Sequence, residues 1–121
     1  MPQMLVVEDN ANITALYSRL LFQYDYVSAQ SAEEAIAWLQ QEPFRVVILD
    51  LHLADSGSSG FSVLRFIRRQ SELAATRVLV ISSDDGLRKS CEAIGIDGWM
   101  TKPVSVQAFV DHIEALLPQW S

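Results

Sequence analysis

Arg45-Val46-Val47-Ile48-Leu49-Asp50 is the stretch that decides the fold: four aliphatic residues in a row, with Pro43 just before them and a carboxylate at the end. A run this short, apolar on both alternating sides, reads as a strand buried on both faces rather than a half-exposed one. Three further runs end the same way: Met4-Leu5-Val6-Val7 before Glu8-Asp9, Val78-Leu79-Val80-Ile81 before Ser82, and Gly98-Trp99-Met100-Thr101 before Lys102. Tyr26-Val27-Ser28-Ala29 reads as a weaker strand. Between the runs lie stretches with helical spacing. Ile13, Leu16, Leu20 and Leu21 share one face. Ala32, Ala35, Ile36 and Leu39 follow a capping box that opens at Ser31. Phe61, Leu64 and Ile67 form a third helix, and Leu87, Cys91 and Ile94 a short fourth that stops near Gly95. Val106, Phe109, Val110, Ile113, Leu116 and Leu117 form the last, closed by Pro118.

Strand and helix therefore alternate five times, which implies a parallel sheet covered by helices on both faces. The first, third and fourth strands are continuously apolar and belong inside. The second and fifth are weaker and belong at the edges. The order 2-1-3-4-5 satisfies this, and its switch point falls between strands 1 and 3, where open α/β sheets bind ligands. Glu8, Asp9 and Asp50 lie at that crevice. No composition shift breaks the chain, so a single domain over 1–121, with a core at about 4–117 and no effector domain, is expected.

Composition narrows the function. The net charge of −6 argues against direct nucleic-acid binding, which needs Lys and Arg to meet phosphates. Arg65, Arg68 and Arg69 cluster on the third helix and read as a solvated face. The apolar runs fall far short of the ~20 residues that span a bilayer, so no membrane contact is expected. A lone Cys91 forms no internal disulfide and fits a small core residue in a reducing, cytoplasmic setting; no secretion signal is evident at the start.

Three carboxylates in one crevice repel one another, and a hard dication relieves that repulsion. Mg²⁺, with Mn²⁺ as an alternative, suits one or two carboxylates together with a substrate phosphate. Each acid alone has a plain structural reading: Asp9 or Asn10 as a helix N-cap, Asp50 as a turn residue. Ser82 and Lys102 at equivalent strand ends change that balance. Asp50, on the central strand, is the best carboxylate nucleophile for a phosphoryl group. Lys102 would neutralise a phosphoryl oxygen as a point charge, and the Ser82 hydroxyl could bond another.

With these residues in place, the chain resembles the receiver domain of two-component response regulators, a CheY-like, flavodoxin-like fold. The resemblance runs from Leu5 to about Leu117. It rests on Val6-Val7-Glu8-Asp9-Asn10, Val47-Ile48-Leu49-Asp50-Leu51, Val80-Ile81-Ser82-Ser83 and Ala93-Ile94-Gly95-Ile96-Asp97-Gly98-Trp99-Met100-Thr101-Lys102-Pro103. It implies that a histidine kinase or histidine phosphotransfer protein donates a phosphoryl group to Asp50. Glu8, Asp9, Asp50 and the backbone carbonyl of His52 would hold the Mg²⁺. Ser82 and Lys102 would contact the phosphoryl group, and the Lys102–Pro103 peptide would be cis. Trp99 takes the aromatic switch position, whose ring turns inward when Ser82 is drawn to the phosphate. His52 and Asp84 occupy positions that tune how long the phosphoryl group lasts. Output would pass through helix 4, strand 5 and helix 5 to a downstream protein or a fused effector, or through a phosphorylation-dependent homodimer. Such a switch is a population shift, and moving it from 1:99 to 99:1 needs about 5.5 kcal/mol.

The sequence departs from that pattern in two places. Ala54 stands where receivers usually carry Pro, and Gly60 comes about two residues late, after a Ser-Gly-rich stretch from Asp55 to Ser59. Trp99 replaces the commoner Tyr or Phe, and its larger indole either hinders inward rotation or serves as an exposed partner contact. Two other readings compete. A degenerate receiver would act as a constitutive docking module, although every key position carries a competent residue. A haloacid-dehalogenase-like phosphatase would need a second Asp at position 52, which is His. A flavin site would need a phosphate-cradling loop after strand 1, and that segment is acidic. A signalling domain rather than a turnover enzyme is the expected function.

Overall fold

The central strand β3 (Val46–Asp50) is buried along its whole length and lies between β1 (Met4–Val7) and β4 (Arg77–Ser82). The structure, a computed structural model, describes residues 3–53 and 60–117. Among these residues five parallel strands follow the order β2-β1-β3-β4-β5, with β2 at Tyr26–Ala29 and β5 at Gly98–Thr101 as edges. This is the doubly wound, flavodoxin-like order expected from strand hydrophobicity.

Among the described residues four α-helices return the chain between strands, α1 (Ala11–Leu20), α2 (Ala32–Gln41), α3 (Gly60–Arg69) and α4 (Arg88–Ile94), and α5 (Val106–Leu116) follows the last strand. Alternation along each strand divides the core in two. Leu5, Val7, Val47, Leu49, Val78 and Val80 pack under α2, α3 and α4 with Ala35, Leu64, Ile67 and Cys91. Met4, Val6, Ile48, Leu79, Ile81 and Met100 pack under α1 and α5 with Tyr17, Phe109 and Ile113. Burial pushes the Cys91 thiol above its ordinary pKa, in keeping with a small core residue.

Helix caps follow the sequence closely. The Asn10 carboxamide oxygen accepts from the N–H groups of Asn12 and Ile13 at 2.9 and 3.1 Å, so Asn10, not Asp9, opens α1. Ser31 Oγ accepts from Glu34 N–H at 3.0 Å, while the Glu34 carboxylate reaches back to Gln30 N–H, one residue beyond a strict capping box.

Two expectations about helix faces change. On α1 the buried residue is Tyr17, which stacks on Phe109 with ring centroids 4.8 Å apart, whereas Leu16 is 38% exposed. The Arg cluster on α3 is not uniformly solvated. Arg68 donates to the carbonyls of Gly95 and Thr76, both at 2.8 Å, and to Asp97 Oδ2 at 3.0 Å. That carboxylate oxygen also accepts Val78 N–H at 2.8 Å, so one guanidinium fastens α3 to the entry of β4 and β5. Arg65 lies over the Phe61 ring and Arg69 is exposed. His112 on α5 is half-buried beside Gly98.

Candidate functional site

Strand register sets the rim. Val7 pairs with Leu49, Asp50 with Ile81, and Ser82 with Thr101. Glu8 therefore leaves β1 level with Asp50, while Ser82 and Lys102 stand successively further along. From there Lys102 Nζ reaches back to donate to Asp50 Oδ2 at 2.9 Å. The other Asp50 oxygen, Oδ1, accepts His52 N–H at 2.9 Å, and the carboxylate is 3% exposed. A carboxylate so held has a fixed rotamer.

Glu8, Asp9 and Asp50 bring one carboxylate oxygen each to within 4.8 Å of one another. Glu8 is 2% exposed; its Oε2 accepts Asn10 N–H at 3.2 Å, and its Oε1 has no hydrogen-bond partner among the described residues. Burial, and then the charge on Asp50, push the Glu8 pKa up to about 7; the Asn10 N–H and Lys102 offset only part of this. Burial, and then the charges on Glu8 and Asp50, push the Tyr17 phenol up. An orphaned buried oxygen beside two further carboxylates fits a hard dication of the Mg²⁺ or Mn²⁺ kind, whose charge would restore the ionised form of Glu8. With Asn10 serving as the cap, the structural reading of Asp9 as an N-cap falls away.

Ser82 is fully buried, and its Oγ lies 3.0 Å from His52 Nε2 and accepts Asp84 N–H at 3.0 Å. Both His52 and Asp84 thus touch the Ser82 hydroxyl. Lys102–Pro103 is cis, as the resemblance implied.

Trp99 is 7% exposed and packs in the core with Val80 and Cys91, so the indole faces inward and is not an exposed partner contact. Its Nε1–H donates to Asp85 Oδ1 and Thr101 Oγ1, each at 3.2 Å, and the Thr101 hydroxyl donates to the same Asp85 oxygen. These bonds hold the Asp85 carboxyl below its ordinary range. The turn Asp85–Leu87, which leads into α4, is tied to β5 by this clasp.

Gly60 opens α3 close against the end of β3. Its N–H donates to the Leu51 carbonyl at 3.1 Å, and a Cβ there would meet the Asp50 carbonyl oxygen at 2.6 Å and Leu51 Cα at 2.7 Å. The start of α3 thus presses on the backbone of Asp50 itself. Ala54 and the stretch from Asp55 to Ser59 lie outside the described residues, as do Pro118 and Trp120.

This architecture sets a buried aspartate, beside two further acids, at the switch point of a doubly wound sheet. The family model for the response regulator receiver domain matches residues 4–114, and the chain belongs to that family. It is 32% identical over 116 residues to the transcriptional regulatory protein YvrH of Bacillus subtilis, covering 93% of this chain and 48% of that protein. The probable transcriptional regulator ycf27 of Porphyridium aerugineum is 30% identical, with 95% and 48% covered. The chain therefore spans about half the length of these curated relatives. Among solved structures, the chemotaxis protein CheY4 of Vibrio cholerae superposes with a TM-score of 0.83 at 25% identity, covering 96% of this chain and 98% of that one. The BeF3-activated DrrB receiver domain gives 0.84 at 26%, covering 98% and 99%. No helix among the described residues is long and apolar enough to cross a membrane.

Proposed function

We propose that the chain accepts a phosphoryl group on Asp50 from the histidine of a sensor kinase or phosphotransfer protein and thereby changes the surface formed by α4, β5 and α5. The observation that carries this reading is the buried Asp50 carboxylate, fixed by Lys102 Nζ and His52 N–H at 2.9 Å each and set beside Glu8 and Asp9. An Asp50 oxygen attacks phosphorus, the P–N bond to the donor imidazole breaks, and the electron pair leaves with that imidazole. Lys102, already against Asp50, stays close enough to neutralise a phosphoryl oxygen as charge moves outward. Glu8, Asp9, Asp50 and the carbonyl of His52 would hold Mg²⁺, or Mn²⁺. When bound, the ion supplies charge neutralisation and orients the phosphoryl oxygens.

Ser82 would then donate to a phosphoryl oxygen and draw the β4–α4 segment with it. Asp84 N–H, bonded to Ser82 Oγ, and Asp85, bonded to Trp99, stand next in line. Because the buried Trp99 indole is bonded to Asp85, the clasp at Asp85 would take part in the switch. The relatives are about twice as long as this chain and are described as transcriptional regulators, so the output is a fused effector or a separate protein, with a phosphorylation-dependent homodimer as one route. A domain of this kind works in the cytoplasm as a switch, not as a turnover enzyme. The bonds from Lys102 and His52 to Asp50, beside Glu8 and Asp9, support this reading over constitutive docking.

The test is direct. Incubation with Mg²⁺ and a small acyl phosphate is expected to add the mass of one phosphoryl group to the intact chain and none to Asp50→Asn. An unmodified wild type, or equal modification of Asp50→Asn, overturns the reading.

A further inference from the structure

Among the described residues the hydrogen-bond account at Ser82 closes in one way. A buried hydroxyl has one hydrogen and two lone pairs, and buried polar groups are normally satisfied. Asp84 N–H occupies one lone pair of Ser82 Oγ. Among the described residues the other partner is His52 Nε2, at 3.0 Å. A second donor there would leave the hydroxyl hydrogen without an acceptor in a fully buried position. The hydrogen therefore points to Nε2, and His52 carries its own proton on Nδ1, at the exposed edge of the site.

We propose that the His52 imidazole is a latch on Ser82: a positioning residue that holds the hydroxyl hydrogen until a phosphoryl group on Asp50 takes it over. This rests on the acceptor role proposed above for Asp50 and deepens it. The hydrogen engaged by His52 is the same one that Ser82 would offer a phosphoryl oxygen, and one hydrogen cannot fully serve both. Loading Asp50 must therefore break the Ser82–His52 bond, and the exposed imidazole can swing into water when it does. The backbone N–H of His52 stays on Asp50 Oδ1, so the latch and the acceptor are held by the same residue. A residue that only altered the access of water to the phosphoryl group would need no contact with Ser82. That difference makes the latch separable from an effect on phosphoryl lifetime.

Two measurements test it. Nitrogen NMR of the unmodified protein at pH about 8.5, where an ordinary imidazole is neutral, is expected to show His52 as the Nδ1–H tautomer. Ser82→Ala should shift it toward Nε2–H. Finding Nε2–H in wild type overturns the latch without involving phosphorylation. The second is a beryllofluoride titration with Mg²⁺. His52→Ala should lower the midpoint about fivefold, equivalent to the ~1 kcal/mol of one hydrogen bond. In the Ser82→Ala background the same substitution should change nothing. An unchanged midpoint, or the same fold-change in both backgrounds, overturns the proposal. If wild type gives no response, or Asp50→Asn gives an equal one, the acceptor reading fails and the latch's role fails with it. The tautomer then still decides whether the Ser82–His52 bond exists.

Discussion

Replacing Glu8 with Gln isolates the electrostatic strain at the rim. In the folded chain Glu8 holds its proton up to about pH 7, against an ordinary value of 4.5. Below 4.5 both folded and unfolded chains carry that proton. Between 4.5 and 7 the unfolded chain has released it while the folded chain keeps it, so stability falls as pH rises through this window and is level above it. The full difference is about 3 kcal/mol, or roughly 10 °C in Tm for a domain of this size. Gln at position 8 has no proton to lose. With a chelator present, urea denaturation from pH 5 to 8 should therefore show wild type losing stability relative to Glu8→Gln by about that amount. Excess Mg²⁺ at pH 8 should restore wild type and not the variant, because the cation favours the ionised carboxylate. Stability curves that run parallel for the two proteins across the window would refute the assignment of strain to Glu8.

Other substitutions probe the supports of the site. Gly60→Ala should cost about 1–3 kcal/mol by denaturation, since its Cβ cannot fit without moving the Asp50 and Leu51 backbone, and should slow phosphoryl uptake as well. Arg68→Ala should lose about 2 kcal/mol, leaving the Gly95 and Thr76 carbonyls and Asp97 without their shared donor, with Asp50 chemistry unchanged at permissive temperature. Asp85→Ala should move the Trp99 indole N–H resonance well upfield of its wild-type position while Trp38 stays put, because the carboxylate acceptor is gone.

The sheet was legible because its inner strands are apolar on both faces, so Val46–Leu49, Met4–Val7 and Val78–Ile81 could be read without ambiguity and their order followed. The acids, Ser82 and Lys102 were legible because parallel register places strand ends side by side. Periodicity was a weaker guide to the face of α1, where a Tyr able to stack on Phe109 takes the buried position and Leu16 is pushed outward. The role of Arg68 was hidden because its partners, Thr76, Gly95 and Asp97, come from other elements and bear no sequence relation to α3. The same holds for His52 against Ser82 and for Asp85 against Trp99. Each joins a loop that leaves one strand to a residue of the neighbouring strand, and only the folded register brings them within hydrogen-bonding distance. Gly60 shows the reverse case. Its position looked displaced when counted along the chain, yet its backbone reaches Leu51 and Asp50 all the same.

The most direct test of the account is to locate the phosphoryl group. Wild-type protein is incubated with a phosphorylated histidine donor, with Mg²⁺ or with a chelator, and the modified residue is mapped. The account predicts modification at Asp50 alone, requiring the metal and strongly reduced in Lys102→Met. Label on any other residue, or equal labelling of Asp50 under chelation, would contradict it.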